Sequence, residues 1–280
     1  MNPPQNTLLI DCADAKGLIH KITDIIYQHN LNIVLNREFV EHNSKHFFMR
    51  TVLEGDFEKE QLIEKLTSSL PDKANIRLSS DQNKNVVIMA TKEHHVLGDL
   101  LIRNEFDENR ANIQCVISNH EHLRNLVERF DIPFYVIPHE GKERTEHEKE
   151  ILALLANFNP DFIILAKYMR IFSPEFIEVY KNQVINIHHS FLPAFVGARP
   201  YHQAYQRGVK VIGATAHYVT DDLDQGPIIY QSTTPVDHRF DADQMARAGR
   251  EIESKVMAEA IKLVLDDKVF IYGNKTVILD

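Results

Sequence analysis

Val184-Ile185-Asn186-Ile187-His188-His189-Ser190-Phe191-Leu192-Pro193 is the stretch whose reading decides the fold. An apolar run with β-branched residues passes into polar side chains and then a proline loop, which predicts a buried strand whose carboxyl end opens into a cleft. Open α/β sheets hold their chemistry at that end of their strands. Asn186 and His188 are two residues apart, so a continuing strand projects both to one face. An amide donor beside a titratable imidazole suits a reacting carbonyl.

Upstream of this strand the chain alternates. Strand Asn85–Thr91, helix His95–Asn104, strand Ile113–Ser118, helix Glu121–Phe130 and strand Phe134–Ile137 are followed by helix Thr145–Asn157, strand Phe162–Ala166 and helix Pro174–Tyr180. Such alternation predicts a Rossmann-like, mostly parallel sheet wrapped by helices over residues 85–280. The turn after its first strand, Thr91 to Leu97, has no glycine, so neither a dinucleotide fingerprint nor a P-loop is present. Glu93-His94-His95 invites a metal reading. Adjacent residues diverge on any regular element, however, and a chain with 15 histidines makes such pairs by chance, so no metal site is expected. In Met169-Arg170-Ile171-Phe172-Ser173-Pro174, Ser173 is a good N-cap with Pro174 at the first helical position, which leaves Met169, Arg170 and Phe172 at the cleft rim.

Downstream, the loop Ala194–His202 leads into a helix through Gln206, and Val209–Val219 is a strand carrying His217. The loop Thr220 to Pro227 is rich in carboxylates, including Asp221 and Asp224, and strand Ile228–Thr233 returns antiparallel to its predecessor. A long amphipathic helix, Asp241–Asp266, and a hairpin turning at Gly273-Asn274-Lys275 complete the chain.

Residues 1–84 read differently. Strand Leu8–Cys12, helix from Leu18 to near His29-Asn30, strands Asn32–Glu41 and Lys45–Leu53, helix Glu58–Ser69 and strand Ala74–Leu78 give the order βαββαβ of a ferredoxin-like α/β domain. Asp11…Asp14-x-x-Gly17-Leu18-Ile19 resembles the opening of an ACT domain. That resemblance implies an amino-acid effector at the turn of Asp14, Gly17 and Leu18, and side-by-side pairing into a homo-oligomer. The alternative, a turn that Gly17 merely permits in a domain serving assembly alone, stays open.

The whole chain has 280 residues, 44% of them hydrophobic and 25% charged, with net charge -9 and a pI near 5.9. That charge argues against a broad nucleic-acid or anionic-membrane footprint and favours a small-molecule partner. Cys12 and Cys115 lie in separate strands without ligand spacing, so reduced thiols and a cytoplasmic setting are expected. Neither an export signal nor a membrane-spanning run is apparent.

Asn186-x-His188, the Met169–Phe176 run and His217…Asp224-x-Gly226-Pro227 together resemble the folate-dependent formyltransferase family over residues 85–280. The resemblance implies that Asn186, His188 and Asp224 surround an N10-formyl group. It also implies that Met169, Arg170, Ile171, Phe172, His189, Ser190, His217 and Asp221 contribute to binding the folate. Where the transferases have a glycine-rich turn to seat a phosphorylated amine, Thr91–Leu97 offers none, and His189 stands where they carry proline. His-His-Ser-Phe-Leu-Pro-Ala-Phe with Gly197-Ala198-Arg199-Pro200-Tyr201, behind an ACT-like domain, resembles the formyltetrahydrofolate deformylases. The implied reaction is hydrolysis of 10-formyltetrahydrofolate to tetrahydrofolate and formate, serving one-carbon metabolism and purine biosynthesis with no cofactor required. Asn186 and protonated His188 would polarise the carbonyl, with Asp224 raising the imidazole pKa and handling the proton of water. Formyl transfer to a small amine such as glycinamide ribonucleotide, or a non-catalytic folate and amino-acid sensor, are the alternatives.

Overall fold

The computed structural model describes residues 5–194 and 200–280, so the predicted loop around Gly197-Ala198-Arg199 lies outside the described residues. The chain divides into two compact units. The first contains β1 (Gln5–Ala13), α1 (Leu18–Gln28), β2 (Asn32–Glu41), β3 (His46–Glu54), α2 (Lys59–Ser69) and β4 (Asn75–Ser80). Its antiparallel sheet has the order β2-β3-β1-β4, the ferredoxin-like arrangement expected from the sequence. Leu18, Ile22, Ile25 and Ile26 repeat at helical spacing and bury one stripe of α1 against Leu8, Ile10 and Met49. Gly17, at φ +87°, opens that helix in the left-handed region where a side chain would be strained.

Residues 266–270 and 277–280 also belong to this unit, although the alternation of elements assigns them to the second domain. Arg50, 6% exposed, explains part of the difference. Its guanidinium donates to the carbonyl oxygens of Asp266 and Asp267, each at 3.0 Å. Phe270 meets the Phe48 ring edge-on.

The second unit begins with β5 (Lys84–Ala90), α3 (His95–Glu105) and β6 (Ala111–Ser118). Where one helix is predicted over residues 121–130, two 3-10 turns flank a single α-turn, α4 (Arg124–Val127). Of the residues in this segment only Leu123 and Val127 are buried, too little packing to hold a longer regular helix. β7 (Phe134–Val136), α5 (Arg144–Leu155), β8 (Phe162–Ala166), α6 (Pro174–Val179) and β9 (Val184–His188) follow. Then come α7 (Pro200–Arg207), β10 (Val211–Tyr218), β11 (Ile228–Pro235) and α8 (Ala242–Leu265), before the closing hairpin of β12 (Val269–Tyr272) and β13 (Lys275–Ile278).

The large sheet has the order β11-β10-β9-β8-β5-β6-β7. From β9 through β7 the pairs are parallel, whereas β10 runs antiparallel to both β9 and β11. The chain leaves β5 for β6 on one side and later returns to β8 on the other, so the strand order switches between β5 and β8. Crevices in open sheets form beside such a switch, at the carboxyl ends of the strands. Among the described residues no helix is long and apolar enough to cross a membrane.

Candidate active site

Strand alternation places Asn186 and His188 on the same face of β9, and the antiparallel register brings His217 opposite Asn186 and Thr215 opposite His188. His217 is buried. Its Nδ1–H donates to the Tyr218 carbonyl at 2.8 Å, which leaves Nε2 to accept from the Asn186 amide at 3.3 Å. This bond fixes which end of the Asn186 amide is the donor and leaves its second N–H available.

His188 is 5% exposed. Its Nδ1 lies 3.2 Å from Asp224 Oδ2, and its Nε2 is buried with no protein partner among the described residues. The other Asp224 oxygen lies 3.7 Å from His217 Nε2, beyond hydrogen-bond range. Burial works against the charged form of Asp224, but His188 and His217 outweigh it and hold the carboxyl well below the usual range. Asp224 is therefore ionised at neutral pH. Gly226 allows its loop to lie this close, because a Cβ there would stand 1.8 Å from the Tyr218 carbonyl oxygen.

These groups close one end of a cleft of about 510 Å³. The walls are largely apolar: Tyr168, Phe172 and Ile177 are buried behind, and Met169, Ile171 and Leu223 are exposed at the mouth. Phe172 thus reaches the cleft only as part of a buried stack, with its ring centroid 3.9 Å from that of Phe176. The Met169 N–H donates to Thr91 Oγ1 at 3.1 Å. Ser173 caps α6 by accepting from the Phe176 N–H, while its own N–H and hydroxyl donate to buried Glu148. Arg170, His189 and Asp221 also line the cleft.

Ser190 does not line this cleft. Its hydroxyl donates to the Ala194 carbonyl at 2.6 Å, and it borders a smaller neighbouring cavity of about 260 Å³ that His189 also lines. The loop is held from below: Thr215 Oγ1 donates to the Ser190 carbonyl and accepts from the Leu192 N–H and the Gln231 amide. Asp14, Gly17 and Leu18 belong to the first unit, where Asp14 and Gly17 are exposed and Leu18 is buried.

Sequence reasoning missed a buried charge cluster beneath the cleft. Glu253 is 1% exposed. It receives hydrogen bonds from Tyr201 Oη at 2.6 Å and His95 Nε2 at 2.9 Å, and Lys167 Nζ lies 3.1 Å away. Burial opposes its charge, yet His95, Lys167 and Tyr201 draw the carboxyl down to about 2. His95 is therefore a hydrogen-bond partner of Glu253. The one group of histidines and acids among the described residues with ligating atoms within 4.8 Å of each other is His120, His139 and Glu140, which the sequence reading passed over. Nothing local signalled the Lys167–Glu253 pair, because its members are far apart in the chain.

Comparison with known proteins agrees with this architecture. An ACT domain family model matches residues 6–70, and a formyl transferase model matches residues 84–261. The fold and site thus define an ACT domain joined to a formyl transferase domain. A formyltetrahydrofolate deformylase of Haemophilus influenzae is 55% identical over 97% of this chain and 98% of its own length. Its Escherichia coli counterpart is 53% identical, covering 96% of each. The crystal structure of a Pseudomonas syringae formyltetrahydrofolate deformylase superimposes with TM-score 0.95 at 41% identity, over 100% of this chain and 96% of that one. A glycinamide ribonucleotide transformylase from Symbiobacterium toebii matches only 70% of this chain and 94% of its own, with TM-score 0.68 and 28% identity. The chain belongs to the formyltetrahydrofolate deformylase family.

Proposed function

We propose that this chain hydrolyses 10-formyltetrahydrofolate to tetrahydrofolate and formate, with Asn186, His188 and Asp224 carrying the chemistry. The observation that carries the reading is the buried Nε2 of His188, unpartnered among the described residues, whose other nitrogen lies 3.2 Å from Asp224 at the polar end of an apolar cleft. A flat pterin ring suits walls made by Met169, Ile171 and Leu223, and the formyl group then meets Asn186 and His188.

A water oxygen attacks the formyl carbon, and the carbonyl electron pair moves onto oxygen. The free Asn186 N–H and the His188 Nε2–H donate to that oxyanion. Asp224, a weak base in this setting, takes a proton only as the new C–O bond makes the water acidic. The tetrahedral intermediate collapses, the C–N bond breaks, and the proton held by Asp224 passes to N10. Formic acid leaves and ionises to formate. No metal or cofactor enters this scheme.

The exposed Asp14–Gly17 turn takes an amino-acid effector, the protein assembles as a homo-oligomer in the cytoplasm, and its formate or tetrahydrofolate serves one-carbon metabolism and purine biosynthesis. Nucleic acid and membrane are not partners. Turnover in ¹⁸O-labelled water tests the central step: hydrolysis puts a single labelled oxygen into formate, whereas unlabelled formate or a formylated amine contradicts it.

A further inference from the structure

His189 lines the cleft and is half-buried beside the groups already described. His95, His188 and His217 each have a ring nitrogen engaged by another protein group. Among the described residues, neither ring nitrogen of His189 meets a donor or acceptor. Its ring lies 5.2 Å from that of His188 and 6.1 Å from that of Tyr201, centroid to centroid. Burial pushes the His189 imidazole down to about 4, helped by the charge of Lys167 and less by His188, against the opposing pull of Glu253 and Asp224. At neutral pH it therefore has one nitrogen able to accept.

An attacking water has two hydrogens, and its lone pair is aimed only when both are held. Asp224 Oδ2 faces His188 Nδ1 at 3.2 Å and Oδ1 lies 3.7 Å from His217 Nε2, beyond hydrogen-bond range, so Oδ1 is the oxygen placed to hold one of these hydrogens. A second acceptor is needed. We propose that His189 accepts a hydrogen bond from the nucleophilic water and, with Asp224, points its lone pair at the carbon that Asn186 and His188 polarise. This inference rests on the hydrolytic reading. In this role the buried Lys167–Glu253 pair is a support: Lys167, held at the end of β8 by Glu253, disfavours a charge on His189.

The test compares His189→Phe, which removes the acceptor, with His189→Asn, which retains one in its side-chain carbonyl. Each full-length variant is assayed for kcat and KM with 10-formyltetrahydrofolate and for its Kd with tetrahydrofolate. The expected result is a kcat about 10²-fold lower in His189→Phe, with KM and Kd within about threefold of the native values, and about tenfold recovery in His189→Asn. His189→Leu repeats the comparison if the larger ring disturbs folding. A kcat within about threefold of native in either variant lacking an acceptor, a loss confined to KM and Kd, or an Asn variant no better than Phe overturns the proposal. If the native chain itself releases no formate, the hydrolytic reading falls and this inference with it. Native turnover alongside an unimpaired His189→Phe overturns this inference alone.

Discussion

Asp224 is placed where its charge faces the His188 imidazole while its own basicity is held low. Replacing it with Asn leaves the shape but removes the charge facing His188. Both Asp224→Asn and His188→Ala are expected to lower kcat about 10²–10³-fold while tetrahydrofolate still binds, since the apolar walls are untouched. Near-native kcat in either would remove that residue from the mechanism. His189 has a separate signature in stability. An unfolded imidazole titrates near 6.5 and folded His189 near 4, so between these values the unfolded chain takes up a proton that the folded chain refuses. The stability contributed by its neutral form is complete above pH 6.5 and is lost as pH falls towards 4. Thermal melts at pH 7 and pH 5 are therefore expected to show a smaller acid-induced drop in His189→Asn than in the native chain.

Single elements set the geometry that these residues use. Gly226 packs against the backbone of Tyr218 with no room for a methyl group, so Gly226→Ala must move the Asp221–Asp224 loop. That substitution is expected to lower kcat at least tenfold, roughly what about 1.4 kcal/mol of lost transition-state stabilisation would give, with a crystal structure showing Asp224 displaced. An unmoved loop with native activity would contradict this account. Most of these elements were legible in the sequence. The period-two run of β9 gave away the shared face of Asn186 and His188, and the cap at Ser173 marked the start of α6. The direction of β10 was not legible, because a buried strand reads the same whichever way its neighbour runs. That direction sets His217 opposite Asn186, so its part in orienting the amide was hidden too. His217 was expected against the folate; it lines the cleft, with its two nitrogens hydrogen-bonded to Tyr218 and Asn186. Ser190 was also read as a binding residue, but a hydroxyl in a tight loop found the nearest carbonyl.

At the scale of the molecule, the order of elements revealed two domains but could not reveal that the end of the chain contributes to the first. Contacts between Arg50 and residues 266 and 267 span most of the sequence, and no local pattern encodes them. Deleting residues 266–280 removes two acceptors from a buried guanidinium and the ring of Phe270 from Phe48. The first unit is expected to lose about 3 kcal/mol or more, read as an earlier unfolding transition; an unchanged transition would show that the tail adds nothing to its stability. The central claim concerns what the assembled protein does with its substrate. Purified full-length protein incubated with 10-formyltetrahydrofolate and no amine acceptor is the most direct measurement, with formate and tetrahydrofolate followed together. Equal amounts of both are expected to appear catalytically. Tight folate binding without formate release, or a formyl group that leaves only when an amine is supplied, would contradict it.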